Sequence, residues 1–106
     1  MDHTQPDDLA DLERELDRVR GWPEIVERTP CVFYVRRLPF LHFHDKRISD
    51  GQHRRWADVR NGTTWGAVLP IAFDAGAAER KRFLATVRER YEATLATLPR
   101  KKKVRA

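Results

Sequence analysis

Hydrophobic and polar residues alternate through residues 31–60 with the period of two that is typical of β-strands. The positions of one parity are apolar: Phe33, Val35, Leu41, Phe43, Ala57 and Val59. The positions of the other parity are polar, charged or aromatic: Tyr34, Arg36, His42, His44, Trp56, Asp58 and Arg60. Because side chains on a strand point alternately to the two faces of a sheet, we predict one core face and one polar face, and the polar face is the candidate binding site.

Two other segments have the three-and-four-residue spacing of amphipathic helices. Residues 5–20 place four apolar residues on one helical face: Leu9, Leu12, Leu16 and Val19. Residues 75–98 form a second apolar stripe, with Phe83 beside it: Leu84, Val87, Tyr91, Leu95 and Leu98. Thr4 with Asp7 resembles a capping box for the first helix, Gly21 is its predicted end, and Asp74 is the predicted N-cap of the second helix.

The register between the histidine strand and the next strand depends on the turn predicted at Ser49-Asp50-Gly51-Gln52. An odd-length loop places His44 opposite Asp58 and His42 opposite Arg60. A symmetric two-residue turn would instead mix the apolar and polar faces. We therefore expect the odd-length loop, since burial of a whole apolar face outweighs the preference for a tighter turn.

The remaining strands have weaker patterns. Arg37-Leu38-Pro39 predicts a turn. Residues 24–28 are compatible with a helical turn or a short edge strand, and we favour the strand. Asn61-Gly62 predicts a hairpin into residues 65–73, where a bulge near Gly66 or a longer loop keeps the apolar positions on the core side. The whole pattern predicts an α+β domain in two layers: an antiparallel sheet of about four strands with the N-terminal and C-terminal helices packed on one face.

Length and charge add limits to this fold. The 106 residues suit a single α+β domain over residues 1–98, followed by a basic tail at 99–106 that we expect to be disordered. The first twenty residues hold seven acidic side chains and three arginines, a balance of −4, so with a total of +5 the remainder carries +9. No membrane span and no signal peptide are predicted, and the expected location is the cytoplasm.

A family resemblance rests on Pro39-Phe40-Leu41-His42-Phe43-His44-Asp45, followed by Ala57-Asp58-Val59-Arg60 and a helix that begins near Ala78-Glu79-Arg80. This pattern resembles small bacterial proteins of unknown function that are labelled luciferase-like domains, over about residues 20–97. In that group a His-x-His strand is followed by an Asp-x-Arg strand. The resemblance therefore implies a bacterial protein whose shared residues are His42, His44, Asp58 and Arg60.

The histidine strand suggests metal or acid–base chemistry. His42 and His44 share one side of a strand, where two imidazoles can bind a metal ion with a third ligand, either Asp58 or His53. Alternatively, Asp58 can orient His44 and raise its basicity. A metal-dependent or His/Asp acid–base enzyme is therefore one hypothesis, although the sequence identifies no nucleophile beside the pair and no cofactor. In the structural alternative, both histidines are solvated or hydrogen-bonded to Asp58 and Tyr34.

Binding without catalysis is the first hypothesis. Tyr34, Trp56, Arg36 and Arg60 belong to the residue types that are enriched at interaction hot spots, and a small-molecule ligand or a protein partner is expected on this face. The alternative is a face covered by the N-terminal segment or by loops. Weak nucleic-acid binding through the sheet arginines and the basic tail is a further hypothesis, but no recognised nucleic-acid-binding motif accompanies them.

Overall fold

A computed structural model of the protein describes residues 6–47 and 53–99. A 3-10 helix at Pro6–Leu12 leads into helix α1 at Glu13–Arg20, and helix α2 spans Ala77–Ala96. Six strands lie between the two helices: β1 (Ile25–Thr29), β2 (Val32–Val35), β3 (Leu38–Arg47), β4 (His53–Asn61), β5 (Thr64–Trp65) and β6 (Leu69–Pro70). The α+β architecture is confirmed.

The sheet is antiparallel and follows the order β1-β2-β3-β4-β5, with β6 also paired to β4. In the described residues it has six strands rather than about four, because the short segment expected at residues 24–28 joins the sheet as β1 and the segment expected as one strand at residues 65–73 forms two short strands, β5 and β6. Both lie against β4, at different positions along its length. The histidine strand β3 and its partner β4 are therefore interior strands, each hydrogen-bonded on both sides.

The hydrophobic core lies between one face of the sheet and the helices. The predicted core positions of the strands are all buried: Phe33, Val35, Leu41, Phe43, Ala57 and Val59. The predicted stripe of the first helix is also buried: Leu9, Leu12, Leu16 and Val19. On α2 the buried line runs through Phe83, Val87, Tyr91 and Thr94, while Leu84 and Leu95 are half-buried at its border, as is Leu98 just after the helix. The alternation thus identified the core face correctly.

A β-bulge at Phe40 adds one residue to this core. The register of β2 and β3 passes from Phe33 opposite Leu41 to Tyr34 opposite Pro39, which leaves Phe40 as an extra residue on β3. Phe40 and Leu41 are consecutive and yet both fully buried. The ring of Phe40 packs edge-on against Tyr91 of α2, with the centroids 6.1 Å apart.

Two predicted boundaries were wrong. The turn between β2 and β3 is at Arg36-Arg37, not at Arg37-Leu38-Pro39, and the N–H of Arg36 donates to the carbonyl of Glu24. Helix α2 begins after Gly76 and not at an Asp74 N-cap. Asp74 instead has a φ of 54° and donates its own N–H to the carboxylate of Asp11. In both cases a tertiary contact displaced the local preference.

Of the two alternatives expected here, the structure has the irregularity near Gly66, although Trp65 still lies on the polar face. Arg60 lies opposite Trp65 and Ala57 lies opposite Leu69, so the pairing with β4 shifts by one residue between β5 and β6. Gly66 lies at this shift, where an added Cβ would stand 3.1 Å from the carbonyl oxygen of Val59. The close approach of the backbone therefore favours glycine at this position.

Some predictions fall outside the described residues. These are the capping box that involves Thr4, the turn at 49–52 and the basic tail at 100–106. Among the residues that are described, no helix combines the length and the apolar character needed to cross a membrane.

Candidate functional site

The backbone register places His42 opposite Asp58 and His44 opposite Trp56. The predicted register, with His44 opposite Asp58, was wrong by two residues, although its parity was right. A shift of two residues leaves every side chain on the same face, so burial of the apolar face could not distinguish the two registers. The ladder between β3 and β4 continues to Arg47 opposite His53, which places His53 at the far end of the hairpin.

The carboxylate of Asp58 nevertheless reaches both histidines. Its Oδ2 lies 2.8 Å from Nε2 of His44, its diagonal neighbour, and 3.8 Å from Nδ1 of His42. The shorter distance is one at which an imidazole N–H donates a hydrogen bond to the carboxylate. The side chains of His42, His44 and Asp58 are 20%, 19% and 27% exposed, so the three polar groups are largely removed from solvent but still accessible.

Two tryptophans flank the histidines. The ring of Trp56 stacks on His44 with a centroid distance of 5.6 Å and an interplanar angle of 23°. Trp65 meets His42 edge to face at 5.0 Å, and the two imidazoles meet in the same way at 4.7 Å. We call His42, His44, Trp56, Asp58 and Trp65 the histidine patch. Its rings restrict the rotation of both imidazoles and so hold their nitrogen atoms near the carboxylate.

Arg60 supports the edge of the histidine patch. Its guanidinium lies 4.9 Å from the ring centroid of Trp65, as in a cation–π contact. Its Nε donates to the carbonyl of Pro39 at 2.6 Å, and its Nη1 donates to the carbonyl of Thr63 at 3.2 Å. Arg60 therefore positions Trp65 against the sheet rather than pointing freely to solvent.

The other two predicted site residues lie apart from the patch. Arg36 is in the β2–β3 turn, where its guanidinium pairs with Glu24 and donates to the carbonyl of Pro99. Tyr34 is half-buried, and its ring lies 4.7 Å from the guanidinium of Arg28. The structure thus brings His42, His44, Trp56 and Asp58 together and places Arg60 at their edge, but it gives Arg36 a structural role in a turn.

Cys31 is not part of this site. It lies in the turn between β1 and β2 rather than in a strand, with a φ of 65°, and is 7% exposed. Burial raises the pKa of its thiol above the ordinary value, which favours the unreactive protonated form. Cys31 is thus a buried, largely apolar residue, and the described site contains no cysteine nucleophile.

The donor atoms of His42, His44 and Asp58 all lie within 4.8 Å of one another. Two imidazoles and a carboxylate are ligands that zinc and neighbouring transition metals accept, whereas calcium and magnesium prefer oxygen ligands alone. In the described part of the chain, this group is the one set of His, Cys, Asp and Glu residues that satisfies such a spacing. The predicted set of metal ligands is thus close enough in space to share an ion.

The sequence did not predict the environments of two residues, Trp65 and Arg55. Trp65 was left without a firm face because of the irregular strand, and the structure places it on the polar face against His42. Arg55 is 2% exposed and binds Asp11. Its position in β4 has the same parity as Ala57 and Val59, and a charged residue at a core position signals a buried partner. The sequence could not name that partner.

No protein-family model, curated protein or solved structure matches this chain. The resemblance to luciferase-like domains therefore stays a prediction.

Proposed function

We propose that this protein is a small-ligand-binding module whose site is the histidine patch on β3, β4 and β5. The observation that carries the proposal is the convergence of two imidazoles and one carboxylate on interior strands, between two tryptophan rings. Interior strands are held on both sides, so they position these groups more rigidly than loops would.

The exposure of the patch favours a small ligand over a large partner. Its polar groups are about one-quarter exposed or less, and only Trp65, at 42%, belongs to the exposed large hydrophobic residues. Protein interfaces usually combine several exposed anchors over a wider area. A ligand of few atoms would reach the imidazoles and stack on Trp65 without any rearrangement of the sheet.

The arginine contacts weigh against the nucleic-acid hypothesis. Arg36 is engaged by Glu24 and Pro99, and Arg60 by two carbonyl groups and Trp65. Phosphate binding would have to compete with these internal contacts. The nucleic-acid hypothesis then depends mainly on the basic tail, and residues 100–106 of that tail lie outside the described residues.

The three tryptophans allow a direct test by NMR. Fragment-sized compounds are added to ¹⁵N-labelled protein, and the indole N–H signals are assigned with Trp→Phe variants. We expect saturable shifts of the Trp56 and Trp65 signals, whereas Trp22, which lines a groove with Arg18 and Arg88 on the helical side, should not move. Hits that shift only Trp22, or no saturable hit at all, would contradict the proposal.

A second candidate function is acid–base catalysis, which the 2.8 Å contact between His44 and Asp58 favours. A carboxylate that orients an imidazole is the usual support for a histidine base. Hydrolysis of a panel of activated esters would test it. The enzyme hypothesis requires turnover that is lost in both His44→Ala and Asp58→Asn and retained in His53→Ala. Turnover that survives either of the first two substitutions would rule it out.

A further inference from the structure

We propose that His42, His44 and Asp58 bind one divalent transition-metal ion of the zinc class. This inference deepens the proposed function, on which it rests, because it names the chemical class of the ligand. The metal would contact Oδ2 of Asp58 and the two imidazole nitrogens that lie next to it, Nδ1 of His42 and Nε2 of His44.

Small rotations of the three side chains would bring their ligand atoms to the spacing of a tetrahedral metal site. Metal–ligand bonds of about 2.0–2.2 Å at tetrahedral angles separate the ligand atoms by about 3.3–3.6 Å. The distances from Asp58 to the two histidines, 2.8 and 3.8 Å, lie on either side of this range, and one ligand atom from each of the three residues lies within 4.8 Å of the other two. Side-chain rotation can therefore close the site while the strands stay in place.

The strand geometry supports the same set of ligands. His42 and His44 are two residues apart on β3, so their side chains leave the same face of the sheet. Asp58 lies on the neighbouring strand directly opposite His42. The ligands thus come from two hydrogen-bonded strands, and formation of the ladder brings them together before any ion binds.

The residues around the site favour certain metal ions and leave one coordination position free for a further ligand. Trp56 and Trp65 hold the imidazole rings in place and lower the local dielectric constant. Two nitrogen ligands favour zinc, cobalt, nickel and copper over calcium and magnesium. Since three protein ligands leave the fourth tetrahedral position vacant, a water molecule or a second ligand would complete the coordination.

Tryptophan fluorescence can report on the ion directly. Trp56 and Trp65 lie within 5.6 Å of the histidine rings, so a bound paramagnetic Co²⁺ or Ni²⁺ ion should quench them. The experiment uses the full chain without a histidine tag. We expect saturable quenching with one ion per chain, reversal by excess Zn²⁺, and no quenching by Mg²⁺ or Ca²⁺. The Trp22→Phe variant should keep the effect.

The four histidines of the chain supply matched controls. His42→Ala, His44→Ala and Asp58→Ala should each weaken binding at least about tenfold, because loss of an outer-shell partner alone already costs about 10–100-fold. The double variant with His3→Ala and His53→Ala removes the other two imidazoles and should bind like the original protein. Circular dichroism checks that each variant is folded.

NMR of the unaltered protein tests the metal proposal even if a variant fails to fold. Zn²⁺ should shift the imidazole NMR signals of His42 and His44 and leave those of His3 and His53 in place. Loss of binding in the double variant, shifts confined to His3 or His53, or no saturable binding of Zn²⁺ would overturn the metal proposal. If metal binding fails but fragments still shift Trp56 and Trp65, the proposed function stands and its ligand is not a metal ion.

Discussion

At the scale of single residues, consecutive side chains of β3 alternate between the hydrophobic core and the polar face of the sheet. Leu41 and Phe43 are at most 3% exposed in the core, whereas His42 and His44 are 20% and 19% exposed on the other face. Large apolar side chains on the core face make many dispersion contacts, and the histidines contact only a few neighbours at the surface. Their contributions to the free energy of unfolding should therefore differ.

Leu41→Ala and Phe43→Ala should each lower the free energy of unfolding by about 2–5 kcal/mol, because each leaves a cavity in the core. His42→Ala and His44→Ala should cost about 1 kcal/mol or less, since a partly exposed contact with a carboxylate contributes little. Urea denaturation of the four variants measures both quantities. Equal losses in the two pairs would contradict the assignment of the faces.

Strand β4 organises the molecule at the scale of elements. It pairs with β3 on one side and with β5 and β6 on the other. The one-residue shift between β5 and β6 lets Trp65 join the polar face while Ile71 stays buried. Arg90 of α2 spans the shift, because its Nη1 donates to the carbonyl of Ala67 at 2.7 Å.

Gly66→Ala should destabilise the protein by about 1–3 kcal/mol. The new Cβ would stand 2.7 Å from Nη1 of Arg90 and 3.1 Å from the carbonyl of Val59, so the arginine and the backbone would have to move. Thermal unfolding followed by circular dichroism would measure the loss.

Gly76 supplies the matched control for that substitution. It is the N-cap of α2 without a side-chain hydrogen bond, and an added Cβ meets nothing within 4 Å. Gly76→Ser should therefore be neutral or stabilise the helix by a few tenths of a kcal/mol. If Gly66→Ala were equally harmless, the close approach at the shift would not constrain the strand.

At the scale of the whole molecule, the buried Arg55 joins segments that are far apart in the chain. Arg55 on β4 binds the carboxylate of Asp11 at 2.7 and 2.9 Å. It also donates to three carbonyl groups, those of Asp8, Ile71 and Ala72. These contacts tie the N-terminal 3-10 helix and the segment after β6 to the centre of the sheet, and they satisfy a charge that burial would otherwise penalise.

The pH dependence of stability should reveal this contact. The hydrogen bond from Arg55 holds the pKa of Asp11 below its ordinary value of 3.8. A carboxyl group with a lowered folded pKa stabilises the protein above its unfolded pKa, and this contribution is lost as the pH falls through the folded pKa. Asp11→Asn should therefore cost stability near neutral pH and progressively less below pH 3.8. Urea denaturation between neutral and acidic pH measures the difference.

Asp17→Asn and Arg55→Lys are the controls. The side chain of Asp17 is 65% exposed, so its substitution should change the free energy of unfolding little at any pH. Arg55→Lys keeps the charge but loses the planar fork, and should fall between the original protein and Arg55→Ala, for which we expect a loss of about 3–5 kcal/mol. A similar pH profile for Asp11→Asn and Asp17→Asn would contradict the role of the buried pair.

Several features were predictable because they depend on local periodicity. Alternation identified the core face of the strands, and helical spacing identified the buried stripe of the first helix. An irregularity near Gly66 was also predictable, since a two-residue turn at Asn61-Gly62 followed by a regular strand would place apolar residues on the polar face. Some predictions failed because a distant residue supplied a hydrogen-bond partner. Asp74, for example, was expected to be the N-cap of α2, but its N–H donates to Asp11 instead.

Outside the irregularities at Phe40 and near Gly66, the sequence by itself determined which strand residues face the core and which belong to the polar face, because side-chain direction in a regular strand follows from parity. Only the tertiary structure decided which polar residues meet. It set the register of β3 against β4, turned the carboxylate of Asp58 toward His44, brought Trp65 against His42 and buried Arg55 against Asp11. These contacts join residues far apart in the chain, and their distances depend on packing and register, which a local pattern of hydrophobicity does not encode.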